Sequence, residues 1–372
     1  MRIEKKKVFI RTFGCQMNER DSDIITGLLI REGYKPVNSH KEADVVILNT
    51  CSVRQHAEDK VWSQLGVYKD KIVGVVGCMA RNYKEKIFEK APNVSFVVGP
   101  QDIHKIPEII VKLSNKGLYE VKIWESDGEN RPDGIYHTGF HSHRDHAFVI
   151  ISEGCSNFCS YCIVPYVRGP LRHRRPFDIL KEIEQSIENG ITSITLLGQN
   201  VNSFQSDGLD FTGLLNKVNL IKGLKEFTFM TSHPKDTCKE LFQAIRGLDK
   251  LKKQLHLPLQ SGSNKILKGM NRGYTREYFM GLVKDYRQIV KDGLISTDII
   301  VGFPGETDED FQLTSGLLRE MRFNAAYLFK YSPRPNTAAE KVSDDVPLKV
   351  KENRHRQLLD LQKQACNSLK GQ

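Results

Sequence analysis

The chain has 372 residues, of which 39% are apolar and 27% charged, enough for two globular domains each with its own core. No apolar run is long enough to span a membrane, and Met1–Lys7 leads directly into VFIRTFG without the apolar stretch of an export signal, so a soluble cytoplasmic protein is expected. The net charge of +10 favours a polyanionic partner, and eight cysteines in a reducing compartment point to thiol or metal chemistry rather than disulfides.

In the first part, short continuously apolar runs at Val8–Thr12, Val45–Asn49, Ile72–Val76 and Val94–Val98 predict buried strands. Between and after them, helices are predicted at Asp21–Glu32, Ser52–Leu65, Tyr83–Lys90 and Ile103–Lys112. Strands that are apolar throughout belong to a parallel sheet covered on both faces, which predicts a doubly wound α/β domain over residues 1–125. Residues 126–146 are rich in Gly, Asp and His without periodicity and read as a solvated linker. Nothing in that pattern would make its histidines converge on a metal.

From residue 147 the alternation resumes, with strands predicted at Phe148–Ser152, Ser193–Leu197, Glu226–Met230, Gln254–Leu259, Ser296–Val301 and Ala325–Phe329. Six strand–helix units are two short of a closed eight-fold barrel, so the fold class is α/β with a partial (β/α)6 barrel over 147–372. Leu348–Leu369 reads as a charged C-terminal helix.

Two cysteine sets stand out. Cys155, Cys159 and Cys162 form a C-x3-C-x2-C run just after the first barrel strand. Three thiolates on one loop can hold three irons of a 4Fe–4S cube and leave the fourth open to a small molecule, whereas zinc ordinarily takes four ligands or another spacing. Tyr161 before the last cysteine completes the pattern of radical S-adenosylmethionine (SAM) enzymes. The second set, Cys15, Cys51 and Cys78, is scattered, but each cysteine follows a predicted parallel strand: VFIRTFGC, VVILNTC and VGVVGC. The carboxyl ends of parallel strands share one rim of a sheet, so these three can converge and hold a second cluster. Cys238 and Cys366 fall in helix-like segments outside both sets and receive no role.

A series of motifs resembles the methylthiotransferase family of radical SAM enzymes along essentially the whole chain. It includes FGCQMNERDSD, NTCSVRQHAEDKVWSQLG, VGVVGCMA, GCSNFCSYCIVPYVRGPLRHRRP, LLGQNVNS, LHLPLQSGS, MNRGYTREYF, STDIIVGFPGET and FKYSPRPNTAA. Gln16-Met17-Asn18 and Cys51-Ser52-Val53-Arg54 resemble the branch that acts on N6-dimethylallyladenosine at position 37 of tRNA. Branches acting on threonylcarbamoyl-adenosine or on a ribosomal protein usually differ there. A non-catalytic iron–sulfur RNA-binding protein is the alternative of another class. Family members typically continue into a C-terminal TRAM domain, a small RNA-holding β-barrel that is not expected in a chain ending at Gln372.

The resemblance implies two 4Fe–4S clusters and SAM as cofactors. It also implies a tRNA anticodon loop as substrate, with a reducing electron donor and a sulfur donor as partners; neither membrane nor DNA is expected. SAM is implied in two uses. Reductive cleavage at the Cys155/Cys159/Cys162 cluster yields a radical that removes hydrogen from adenine C2. A methyl group goes to sulfur attached at the Cys15/Cys51/Cys78 cluster.

SAM contacts are expected from barrel strand ends. Tyr161 is placed to support the adenine, and Gly198-Gln199-Asn200 resembles the segment near the methionyl amino group. Ser232, Gln260, Asp298 and the Gly302–Gly305 turn are further candidates, against the ordinary roles of such residues in turns and caps. Arg272 would pair either with the SAM carboxylate or with an RNA phosphate. No acidic residue lies between Glu153 and Asp178, and Arg168, Arg172, Arg174 and Arg175 beside Tyr166 and His173 form a basic loop suited to RNA phosphates and base stacking. The base modified would have to be splayed out of its stack.

Overall fold

The computed structural model describes residues 6–53, 55–68, 70–116, 122–125 and 131–370. The chain divides into two compact units. The first comprises residues up to Ile150 together with Val164–Pro170 and Lys181–Ile191; the second comprises Ile151–Ile163, Leu171–Leu180 and the chain from Thr192 onward.

The first unit opens with β1 (Lys7–Thr12), α1 (Gln16–Arg31), the short β2 (Lys35–Pro36), β3 (Val45–Thr50) and α2 (Gln55–Leu65). It continues through β4 (Ile72–Gly77), α3 (Cys78–Tyr83), α4 (Lys86–Lys90), β5 (Phe96–Val98), α5 (Ile106–Lys116), β6 (Ile123–Glu125) and β7 (His146–Ile150). Strands β1 to β6 form one parallel sheet in the order β2-β1-β3-β4-β5-β6. Every residue of β3 and β4 is buried, as their unbroken apolar sequences require. One face packs Val46, Leu48, Val73, Val75 and Val97 against Val61 and Leu65 of α2 and Met79 of α3. The expected Tyr83–Lys90 helix is split into α3 and α4, with Lys84 between them at φ 53°. The strands β2 and β6 were not anticipated, being two and three residues long and carrying little apolar signal.

The expected linker 126–146 differs over its described part; residues 126–130 lie outside the described residues. Arg131 is buried against Asp21 at 2.7 Å, and Ile135 and Tyr136 are buried. His141 Nε2 lies 3.1 Å from Ser186 Oγ. The polar composition that suggested solvent is engaged with buried charges of α1, so the segment belongs to the first unit.

Next come β8 (Ser152–Glu153), α6 (Val164–Arg168), β9 (Arg172–His173), α7 (Pro176–Glu188) and β10 (Ser193–Leu197). The one-and-a-half-turn helix α6 is part of the first unit and packs on α3. The second unit proceeds through the β11/β12 hairpin (Gln205–Ser206 and Leu209–Asp210), α8 (Phe211–Asn219), β13 (Glu226–Phe229), α9 (Lys239–Gly247) and β14 (Gln254–His256). Then follow α10 (Asn264–Gly269), α11 (Arg276–Ile289), β15 (Leu294–Val301), α12 (Asp308–Met321), β16 (Ala325–Lys330) and α13 (Leu348–Lys370). All six predicted barrel strands occur, as β7, β10, β13, β14, β15 and β16. β10 pairs parallel with β13, and β15 pairs parallel with β14 and β16. The turn into α12 is closed by a capping box, in which Thr307 and Asp310 satisfy each other's backbone amides. Among the described residues, no helix is long and apolar enough to cross a membrane.

Two glycines fix how strands turn into the cysteines of the first set. Gly14 has φ 121° and Gly77 φ 91°, a region that disfavours side chains. A Cβ at Gly14 would lie 2.4 Å from Cys51 Cβ, and one at Gly77 2.6 Å from the Thr50 carbonyl oxygen. Gly77→Ala is therefore expected to destabilise the first unit by about 1–3 kcal/mol through backbone strain. Gly66→Ala, where a Cβ meets open space, should be near neutral in the same denaturant titration.

Burial, with the charges of Arg20 and His146 adding to it, lowers the His141 pKa to about 4. The unfolded chain, with a His pKa of about 6.5, then takes up the proton more readily than the folded one. Stability from this group is complete above pH 6.5 and declines as pH falls towards 4. A loss of about 1 kcal/mol between pH 6.5 and 5 is expected after allowance for solvent screening. His141→Gln should flatten that part of the melting-temperature profile.

Candidate functional site

In the first unit, parallel register aligns Thr12, Asn49 and Val76 on β1, β3 and β4. Cys15, Cys51 and Cys78 follow within three residues, so the three thiols leave the same rim of adjacent strands. The Asn18 side chain ties this rim together. Its Nδ2 donates to Thr50 O at 2.8 Å and Asn49 Oδ1 at 3.1 Å, while its Oδ1 lies 3.4 Å from Cys15 Sγ. Cys51 Sγ accepts from the Val53 amide at 3.4 Å.

A hydrogen bond from the Cys51 thiol, helped by the Arg168 charge, lowers the Cys15 pKa to about 6 despite burial. Cys51, which keeps the shared proton, is raised correspondingly. Cys78 is raised by burial, with the Arg168 guanidinium opposing through charge and a hydrogen bond. Cys51 and Cys78 are buried and Cys15 is half-buried, and iron bound to such thiols would deprotonate them. Among the described residues, no three His, Cys, Asp or Glu side chains draw together tightly enough for one metal ion. A cube takes each thiolate on a separate iron, so a cysteine triad need not converge on a single ion to hold one.

In the second unit, the Cys155/Cys159/Cys162 loop is tied to the segment that follows α10. Ser160 N donates to Met270 O at 3.0 Å, and Asn271 Nδ2 to Phe158 O at 3.0 Å. Arg272 is buried, with Nη1 3.1 Å from Cys159 Sγ and 3.4 Å from Tyr161 Oη. Its Nη2 donates to Pro258 O at 3.2 Å and its Nε to Tyr274 Oη at 3.0 Å. Within the chain, the guanidinium is engaged by a cysteine sulfur, a carbonyl and two phenols. Tyr161 is pushed up by burial and stays neutral.

The strand-end candidates carry unmet hydrogen-bonding capacity. Asn200 donates to Asp236 Oδ2 at 2.6 Å, but its Oδ1, together with Ser232 Oγ and Gln260 Oε1, is buried without a partner among the described residues. His233, overlooked in the sequence, has the same property. Its Nδ1 accepts from the Lys235 amide at 3.2 Å, leaving the proton on Nε2, which is buried and unpartnered among the described residues. Burial, reinforced by Arg272 and Lys235, holds His233 neutral. The ring stands 5.8 Å from that of Tyr274, whose hydroxyl donates to Leu259 O, the residue before Gln260. A histidine next to a strand-end serine was the available signal. Leftover polar atoms of this kind suit a polar ligand.

Other candidates have structural explanations. Asp298 is engaged by His256 Nε2 at 3.2 Å. A Cβ on Gly198 would lie 2.4 Å from Ser152 Oγ, and one on Gly302 2.3 Å from Lys351 Cγ. Gln199 is half-buried, and Gly198 and Asn200 on either side of it are buried.

The basic loop needs correction. Arg168 is 3% exposed and ion-paired to Asp21 at 3.0 Å, and Arg174 is 6% exposed, so neither is presented to an RNA phosphate. The α6 turn directs Arg168 inward, and Arg174 follows β9, with its amide bonded to Ile151 O at 3.0 Å. Arg172 pairs loosely with Glu153 at 3.5 Å, and Arg175, largely exposed, pairs with Asp178 at 2.7 Å. Cys238 is exposed, and the side chain of Cys366 lies outside the described residues.

Comparison with known proteins follows the same division. Residues 7–99 match the family described as uncharacterized protein family UPF0004, and residues 149–318 match the radical SAM superfamily. The radical SAM match implies a 4Fe–4S cluster and SAM, and the UPF0004 match a second cluster. Among solved structures, the methyltransferase TsrM from Kitasatospora setae has a TM-score of 0.63 at 12% identity, covering 90% of this chain and 75% of its own. The cobalamin-dependent radical enzyme OxsB has a TM-score of 0.56 at 13% identity, covering 96% and 56%. These likenesses show the fold. Among curated relatives, the tRNA-2-methylthio-N(6)-dimethylallyladenosine synthase of Clostridium perfringens (strain SM101 / Type A) is 43% identical over 96% of this chain and 82% of its own length. That of Moorella thermoacetica (strain ATCC 39073 / JCM 9320) is 42% identical over 97% and 83%. With this identity along nearly its whole length, and with both domain matches in order, the chain belongs to the MiaB family of radical SAM methylthiotransferases.

Proposed function

We propose that the protein converts N6-dimethylallyladenosine at position 37 of tRNA to its 2-methylthio derivative, acting in the cytoplasm on the anticodon loop. The observation that carries this reading is 43% identity, over 96% of the chain, to relatives named for that product. The two cysteine triads, each with a buried arginine beside a sulfur, support it chemically.

In this reading Cys155, Cys159 and Cys162 hold one 4Fe–4S cluster, and Cys15, Cys51 and Cys78 hold the other. When bound, the first supplies the electron that cleaves SAM to a carbon radical and the second supplies the sulfur. The protein's residues hold and orient. Arg272 fixes the Cys159 thiolate and the Tyr161 ring by hydrogen bonds. Asn200 Oδ1, Ser232 Oγ, His233 Nε2 and Gln260 Oε1 would receive polar groups of SAM, with Gly198, Gln199 and Gly302 shaping the adjoining turns and Asp298 standing on β15 beside them. Two acceptors and a neutral imidazole N–H suit the ammonium and carboxylate of a methionyl group. Of the basic loop, Arg172 and Arg175 remain for RNA. A reducing electron donor and a sulfur donor complete the set of partners.

Replacing Cys155, Cys159 and Cys162 together by Ala should abolish 5′-deoxyadenosine formation by the anaerobically reconstituted, reduced protein. Replacing Cys15, Cys51 and Cys78 should leave SAM cleavage measurable but remove the methylthio product, scored by mass spectrometry on prenylated anticodon-loop RNA. Full product from this second triple variant would overturn the ligand assignment. Nucleoside analysis of tRNA from a deletion strain tests the substrate: persistence of the 2-methylthio-dimethylallyl nucleoside would place the activity on one of the sister substrates.

A further inference from the structure

The buried charges around α1 include one that the cysteine chemistry does not by itself require. Asp21 is held between two arginines, with Arg131 Nη1 at 2.7 Å from Oδ1 and Arg168 Nη2 at 3.0 Å from Oδ2. All three side chains are at most 4% exposed. Burial alone would raise the Asp21 carboxyl, but the two guanidinium groups outweigh it and keep the pKa below the usual value. Arg168 is the member beside the thiols: its Nη2 is 3.5 Å from Asn18 Oδ1, the same oxygen that lies 3.4 Å from Cys15 Sγ, and the helix α6 that carries it packs on α3, which begins at Cys78. A guanidinium this close to thiols that would hold a cluster places a positive charge beside it.

We propose that Arg168 is a positioning residue for the second cluster: it orients the Asn18–Cys15 contact, and its positive charge, divided with Asp21, sets the reduction potential of whatever iron–sulfur group Cys15, Cys51 and Cys78 hold. The inference rests on the ligand assignment made above. Hydrogen bonds to cluster sulfurs and net local charge are the levers by which proteins tune such potentials. A cation beside the cluster favours the reduced, more negative state, so removing it lowers the potential. Neutralising Asp21 releases the full Arg168 charge and raises it.

The test uses the full-length protein with Cys155, Cys159 and Cys162 replaced by Ala, so that one cluster remains after anaerobic reconstitution. Iron and sulfide per chain and an EPR-monitored redox titration are measured for this parent, for Arg168→Met, for Arg168→Lys and for Asp21→Asn. Arg168→Met should shift the midpoint downward by about 60 mV, the equivalent of a tenfold change in a one-electron equilibrium. Arg168→Lys should recover at least half of that shift, and Asp21→Asn should move the potential upward. Loss of iron in Arg168→Met with retention in Arg168→Lys would equally support the proposal. Equal loss of iron in both variants, or midpoints within error of the parent in all three, would overturn the role of Arg168 while leaving the ligand assignment intact. A parent that takes up no iron would refute the ligand assignment, and Arg168's role with it.

Discussion

Parallel pairing of β1, β3 and β4 is the constraint from which the first site follows. A parallel ladder points every strand in the same direction, so residues just beyond aligned positions emerge on one edge of the sheet. With Thr12 opposite Asn49 and Asn49 opposite Val76, the cysteines two or three residues further on have nowhere else to go. The sharp exits are made by Gly14 and Gly77, whose backbone conformations and close neighbours leave no room for a side chain. The buried amide of Asn18 then links the strand ends to the beginning of α1. Thiols separated by up to 63 positions thus leave one rim, where Asn18 lies 3.4 Å from Cys15 Sγ and bonds the Thr50 carbonyl beside Cys51.

The charges buried beneath this rim are matched with unusual economy in sequence. Arg20 pairs with Glu182 at 2.8 Å, and Asp21 pairs with both Arg131 and Arg168. Breaking such a pair by removing one partner typically costs about 3–5 kcal/mol, because the remaining charge is stranded without water. The pairs therefore fasten the segment around Arg131, the short helix α6 and the middle of α7 to the helix that begins at the first cysteine. They supply specificity of attachment where apolar area is small.

The second unit solves its version of the problem locally. Three cysteines within eight residues need no sheet register to meet, only a loop of fixed shape. That shape comes from hydrogen bonds to the Met270–Asn271 turn and from Arg272, whose four hydrogen bonds go to sulfur, carbonyl and phenol acceptors. The strand ends keep polar atoms unmet while their neighbours are satisfied, as with Asn200, one of whose amide atoms is bonded and the other not. Radical SAM folds with quite different sequences share this framework, so the arrangement of strands is conserved in shape at identities of 12–13%.

The amino-acid sequence by itself determined what depends on short-range pattern. Unbroken apolar runs specified the central strands, the close spacing of Cys155, Cys159 and Cys162 specified a cluster-type loop, and strand-then-cysteine repeats specified a shared rim. These are legible because period, spacing and chain direction act over a few residues. Tertiary structure alone decided where the arginines went. Arg168 and Arg174 stand in a run indistinguishable by composition from Arg172 and Arg175, yet two are buried and two are not. The partner that draws Arg168 inward, Asp21, is 147 positions away, and no local pattern encodes so distant a charge. The same holds for Arg131 within a stretch that looks like linker, and for His233, whose burial beside Tyr274 leaves its ring proton unmet. Electrostatic pairing acts through space across the folded chain, whereas apolar periodicity is written along it.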